Sequence, residues 1–190
     1  MKKLLLGAAI AAVLATPAAA GELYIEGQVG SALESELGYG GTDFDVESDT
    51  AWGGAIGMTD VFAGMDLELD VMTTSRGYDG FATSLDTVSV LVNGVFDIPL
   101  TLGPISPYAG LGLGMIEVEY GGGSVFPAFS DSEWVLGGQV FAGARANIAQ
   151  NVSLFGEWRY QTADDAELAG VDVEYSSHSV LFGARYAFGP

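Results

Sequence analysis

The sequence predicts an all-β fold, an eight-stranded antiparallel up-and-down transmembrane β-barrel, on three observations. Apolar residues recur at every second position through eight short runs, the period of a strand with two unlike faces. Between the runs, short turns alternate with long polar segments, as they do where strands cross a bilayer and return. The tryptophans share the parity of the apolar face and stand toward one end of their runs, while phenylalanine and tyrosine of that parity stand toward the other. Two aromatic belts at lipid–water boundaries would produce this.

Residues 1–20 stand apart from the runs. Lys2 and Lys3 precede an apolar stretch from Leu4 to Leu14, and Ala18, Ala19 and Ala20 offer a small-residue cleavage site. This predicts a cleavable signal peptide, with 21–190 as a single barrel domain. The stretch is too short for a membrane-spanning helix, which takes ~20 apolar residues. The chain has no cysteine, so a disulfide scaffold is excluded. Losing the leader removes both lysines and leaves four arginines against 25 acidic residues, a net charge of −21. Nucleic acid is therefore no partner, because phosphate binding takes basic patches.

The first strand alternates Leu23, Ile25, Gly27 and Val29 with Tyr24, Glu26, Gln28 and Gly30. Glu34 to Asp49 breaks the alternation and reads as a long acidic loop. Thr50 to Met58 is the second strand, with Trp52, Ile56 and Met58 opposite a face of glycine and alanine, and a turn follows near Thr59 and Asp60. The third strand sets Met65, Leu67, Leu69 and Val71 against Asp66, Glu68 and Asp70. Thr73 to Ser84 reads as the second long loop. The fourth strand carries Val88, Val90, Val92 and Phe96 on one face and Ser89, Leu91 and Asn93 on the other, before a proline-rich turn. In the fifth, Ala109, Leu111, Leu113 and Met115 alternate with bare glycines, and Tyr120 to Ser132 is the third loop. The sixth places Trp134, Leu136, Val140, Ala142 and Ala144 opposite Gln139, Phe141, Gly143 and Arg145, and turns at Asn147 to Asn151. The seventh places Leu154, Trp158 and Tyr160 opposite Ser153, Phe155, Glu157 and Arg159, and Thr162 to Glu174 is the fourth loop. The eighth, Ser177 to Phe188, places Val180, Phe182, Ala184, Tyr186 and Phe188 opposite Ser179, Leu181, Gly183 and Arg185.

Alternation alone does not say which face is inside, since a soluble barrel with an apolar core has the same period. With the apolar face inward, the fifth strand would show water a row of glycines and the second only glycine and alanine. The apolar face is therefore read as lipid-facing. The upper belt comprises Trp52, Trp134, Trp158 and Tyr160, and the lower comprises Phe96, Tyr186 and Phe188. The opposite parity puts Glu26, Asp66, Glu68, Asp70, Arg145, Glu157, Arg159 and Arg185 inside. An eight-stranded barrel is just wide enough for side chains to fill, so these groups are expected to pair in a charged network that plugs it. The glycine faces are expected to make room for the long charged groups, with Arg159 facing the acids of the third strand and Arg185 meeting Glu26 where the last strand closes on the first.

Two other constellations invite chemistry. His178 is the only histidine and has serines at 176, 177 and 179, but strand neighbours point to opposite faces, so no base–nucleophile pair follows. Asp43, Asp45, Glu47 and Asp49 recur at every second position and could offer oxygen ligands to Ca²⁺ or Mg²⁺. The segment lacks the glycine and closing glutamate of an EF-hand loop, and a solvated acidic loop is the reading taken. Neither a catalytic residue nor a cofactor nor a resident metal is expected.

The matured chain resembles the small outer-membrane β-barrel family of the OmpA-like and opacity-protein type. The resemblance rests on Ser106 to Gly114, Val152 to Tyr160 and Ser177 to Phe188, and covers Gly21 to Phe188. The last segment is similar to the family's aromatic-ending assembly signal, although Gly189 and Pro190 follow its final phenylalanine. A C-terminal peptidoglycan-binding domain is not expected after the eighth strand. The resemblance implies localisation in the cell outer membrane, contact with outer-membrane lipid and lipopolysaccharide, and delivery to the barrel assembly machinery through the C-terminal strand. It implies a structural or surface-interaction role, adhesin-like, with a possible extracellular ligand at four acidic loops. A narrow or gated porin-like channel is the alternative, and an outer-membrane lipid-modifying enzyme comes behind it.

Overall fold

The structure, a computed structural model, describes residues 21–39, 42–45, 49–77, 83–100, 103–122, 129–168 and 171–189. The leader lies outside the described residues. The strands are β1 (Leu23–Tyr39), β2 (Thr42–Asp45), β3 (Asp49–Phe62), β4 (Met65–Gly77), β5 (Thr83–Asp97), β6 (Ile105–Gly122), β7 (Phe129–Asn147), β8 (Val152–Leu168) and β9 (Val171–Ala187). All pairings are antiparallel between neighbours, and β1 pairs with β9, which closes the sheet. β2 and β3 are two pieces of one barrel strand, because Tyr39↔Thr42 and Leu23↔Met58 keep a single register against β1. The barrel is therefore eight-stranded.

Closure is staggered. Following partners from Leu23 through Met58, Leu67, Gly94, Leu111, Val140, Tyr160 and His178 brings the path back to β1 at Glu34, eleven positions above its start, one of them a bulge after Ala32. With strand spacings of ~4.8 Å and a rise of ~3.3 Å per residue, this stagger tilts the strands by roughly 40°. Every step along a rung then climbs about 3 Å. The outward residues of β6 from Ile105 to Met115 are apolar, and at this tilt they cover roughly 25 Å of height, the thickness of a lipid-facing band.

The strands run further than alternation suggests. The segments expected as loops at Glu34–Asp49, Thr73–Ser84, Tyr120–Ser132 and Thr162–Glu174 carry the ladder upward, to rungs such as Gly38↔Glu174, Gly77↔Ser84, Gly122↔Phe129 and Leu168↔Val171. Backbone pairing needs no apolar residue, so a wall wetted on its outer face continues without a hydrophobic period. These excursions between lipid-facing residues, from Val71 to Val88 for example, mark the extracellular end. The termini share the other end with tight turns. There β3 continues to Phe62, and the reversal is made at Ala63 and Gly64 rather than at Thr59 and Asp60. Asp60, Ala63 and Gly64 take φ of 51°, 52° and 82°. The Asp60 carboxylate accepts from Gly64 N at 3.0 Å, and Asp60 N donates to Asp66 Oδ1 at 3.1 Å.

Candidate functional site

Alternation turns one residue in two toward the lumen, where the described inward side chains meet in layers. At the periplasmic end Arg185 pairs through Nε with Glu26 and through Nη1 with Asp66 at 3.3 Å, with its guanidinium 3.6 Å above the Tyr24 ring. Asp66 thus belongs with Arg185 and not, as the opposed-strand reading expected, with Arg159. Arg145 also stands apart from Arg159. It reaches Asp97 at 3.5 Å, lies 4.8 Å over Tyr108, and its buried Nε has no hydrogen-bond partner among the described residues. Beside it an open cleft of about 560 Å³ lies at the mouth, lined by Arg145, Asn147, Ser153 and Arg185 among others.

The middle layer centres on Arg159, which is 2% exposed. Its Nη1 donates to Asp70 Oδ1 at 3.0 Å, its Nε and Nη2 reach Glu157 Oε1 at 2.9 and 2.8 Å, and Nη2 meets Gln28 Oε1 at 3.4 Å. Gln28 Nε2 donates to the other Asp70 oxygen at 2.7 Å, and the Tyr108 hydroxyl donates to Glu157 at 3.0 Å. Buried charges persist only with their hydrogen-bonding capacity met, and this cage meets it. Glu68 accepts instead from Tyr24 at 3.2 Å and Asn93 at 2.8 Å. From Asn93 a chain of amides continues through Gln139 (2.7 Å) and Gln161 (3.0 Å) to Ser89 (3.3 Å). Apolar groups adjoin these, with Ala51, Met72 and Leu181 in one cluster at the level of the cage, where Met72 Sδ lies 3.8 Å from Arg159 Nη1, and Ile116, Val118 and Tyr175 in another nearer the extracellular end.

Tyr24, Gln28, Asn93, Tyr108, Gln139 and Gln161 were not singled out from the sequence, although all have inward parity. The glycine faces accommodate rings and amides rather than the arginines expected there. A Cβ on Gly57 would lie 2.2 Å from Tyr24, one on Gly110 2.2 Å from Phe141, one on Gly183 2.3 Å from Phe155, and one on Gly112 2.0 Å from Asn93. The rings and the amide take the space that a side chain would otherwise occupy.

Trp52, Trp158, Phe96, Tyr186 and Phe188 face outward and are exposed, and Trp134 and Tyr160 are half-buried on the same face. Trp52 and Trp134 share a rung through Thr73, Val88 and Glu117. Trp158 shares one with Phe96 through Ala142 and Ala109. Because of the tilt Trp158 stands only about 10 Å above Phe96. It lies within the apolar band, deeper than the strand-end position expected of it, because β8 continues to Leu168. His178 faces outward, its ring 4.7 Å from Tyr160 and stacked 5.6 Å from Trp158, while Ser177 and Ser179 are buried on the inward face. The side chains of Asp43, Asp45, Glu47 and Asp49 lie outside the described residues, as do the loop tips.

A family model described as outer membrane protein beta-barrel domain matches residues 4–188. Comparison with curated protein sequences gives no match. Among solved structures, Neisserial surface protein A is similar at a TM-score of 0.65 with 15% identity, over 87% of this chain and 97% of that one. The attachment invasion locus protein Ail of Yersinia pestis, in complex with the heparin analogue sucrose octasulfate, gives 0.53 with 19% identity over 88% and 99%. A major outer membrane protein of Thermus thermophilus gives 0.53 with 16% identity over 87% and 99%.

Proposed function

Since the chain belongs to the outer membrane protein beta-barrel domain family and is located in the outer membrane, we propose that it works there as a sealed, non-enzymatic barrel with a structural or surface-interaction role. The observation that carries this reading is the Arg159 cage, which ties β1, β4 and β8 together across the lumen. With the amide chain and the apolar clusters around it, this cage plugs the interior with fixed groups. What the protein offers to its surroundings is then its outer surface and extracellular wall, in an adhesin-like manner, with acidic loops. A sulfated polyanion of the kind seated on Ail suits badly a net charge of −19, or −21 once the leader is lost. Partners at the rim are expected to be neutral or cationic. The C-terminal strand, ending in Tyr186 and Phe188, is the segment expected to engage the barrel assembly machinery.

The non-enzymatic reading is supported by His178, whose ring is engaged by Trp158 and Tyr160 while the flanking serines face the lumen. Single-channel recording in planar bilayers tests the seal. The folded protein should give no reproducible unitary steps, and regular steps from the wild-type chain would establish the gated-channel alternative in its place.

A further inference from the structure

The outward rings of Trp158, Tyr160 and His178 form one continuous patch, with centroid separations of 5.6 and 4.7 Å to the imidazole. Trp158 is 43% exposed, and Tyr160 and His178 are half-buried. The rungs around them change character over a short height. Trp158↔Val180 lies below, Tyr160↔His178 in the middle and Thr162↔Ser176 above. On the other side of β9, β1 and β3 make the same change on their outward faces, Val29 giving way to Ser31 and Trp52 to Thr50, while β7 stays apolar to Leu136. The patch therefore runs from Trp158, inside the lipid band, to Tyr160 and His178 at its upper margin, where acyl chains end and headgroups begin.

Charge decides what part of a headgroup fits. Phosphate is held by arginine and lysine, yet Arg145, Arg159 and Arg185 all face the lumen, and the chain has no lysine after residue 20. The remaining arginine, Arg76, belongs to β4, which pairs with β3 and β5 and not with β8 or β9. The described outward charges just above the patch's level are acidic, Asp86, Glu117 and Asp164. A phosphate is repelled here. An uncharged sugar ring is not, because its weakly positive C–H face complements the negative face of an aromatic ring, while hydroxyls and an imidazole at the margin take its polar edge.

We propose that Trp158, Tyr160 and His178, with Thr162 and Ser176 at their edge, form a binding patch for an uncharged sugar of an outer-leaflet glycolipid headgroup. This rests on the membrane placement stated above and is independent of the sealed lumen. The test uses the full barrel with Trp52→Phe and Trp134→Phe, so that Trp158 alone reports. It is reconstituted in phosphatidylcholine nanodiscs containing either diglucosyl diacylglycerol or phosphatidylglycerol. Diglucosyl diacylglycerol should shift Trp158 emission saturably and be retained roughly five- to tenfold over phosphatidylcholine, as expected for contact with two or three rings. Phosphatidylglycerol should do neither. Tyr160→Leu combined with His178→Ala should abolish the retention, with heat-dependent gel mobility reporting that the barrel is folded. Equal retention of the two lipids, or undiminished retention by the folded double variant, overturns the patch. If the double variant does not fold, the wild-type comparison of the two lipids decides. Channel steps in bilayers would refute the sealed lumen and leave the lipid result standing.

Discussion

Replacing Arg159 by methionine keeps most of the side-chain volume and removes the charge. In the folded barrel Asp70 and Glu157 would then remain in the lumen, 1% and 6% exposed, without the guanidinium that now donates to both. Gln28 and Tyr108 still reach one carboxylate each, and among the described residues no other cation stands within ion-pairing distance of either. Breaking a buried ion pair by removing one partner costs about 3–5 kcal/mol, because the remaining charge stays desolvated. Urea unfolding of the refolded protein in lipid vesicles should show the midpoint falling by that free energy at an unchanged slope. Adding Asp70→Asn and Glu157→Gln to Arg159→Met should recover much of the loss, since the penalty lies in the unpaired acids. A loss below about 1 kcal/mol in the single variant would match a solvent-exposed pair and refute the buried cage.

Three further outcomes follow from the geometry. Arg185→Ala frees Glu26 and Asp66 at the seam between β1 and β9, and the same unfolding assay should show a loss of about 3 kcal/mol. Gly110→Val drives a branched side chain into the Phe141 ring, and should destabilise by about 2 kcal/mol or more while leaving outward-facing fluorescence unchanged. Ala63→Gly should stabilise by about 0.5–1 kcal/mol, since alanine sits at a left-handed φ of 52° in the β3–β4 turn; an unaltered midpoint would mean the turn relaxes around it.

The faces of the barrel were legible because lipid imposes a strict period. Val90 and Leu91, or Trp158 and Arg159, separate cleanly once one face must be apolar. Above the lipid that constraint lapses, so Thr73 to Gly77 pairs as strand while reading as loop. Inside, parity told that Arg159 points inward and left open which acid it meets. Its partner across the lumen depends on the eleven-position stagger, which arises only on closure. The amide chain through Asn93, Gln139 and Gln161 escaped notice because neutral residues scattered over three strands have no local signature until the ring brings them together.

The contacts across the lumen join residues far apart in sequence, Arg159 with Asp70 at 89 positions, Arg159 with Gln28 at 131 and Arg185 with Glu26 at 159. A sheet that is paired but still open has none of them, so they form after most of the ladder is in place. Interactions that form late slow unfolding and leave the rate of folding nearly untouched. The polar interior should therefore be felt in how long the assembled barrel lasts in the membrane, through a slow unfolding limb, and hardly at all in how fast it gets there.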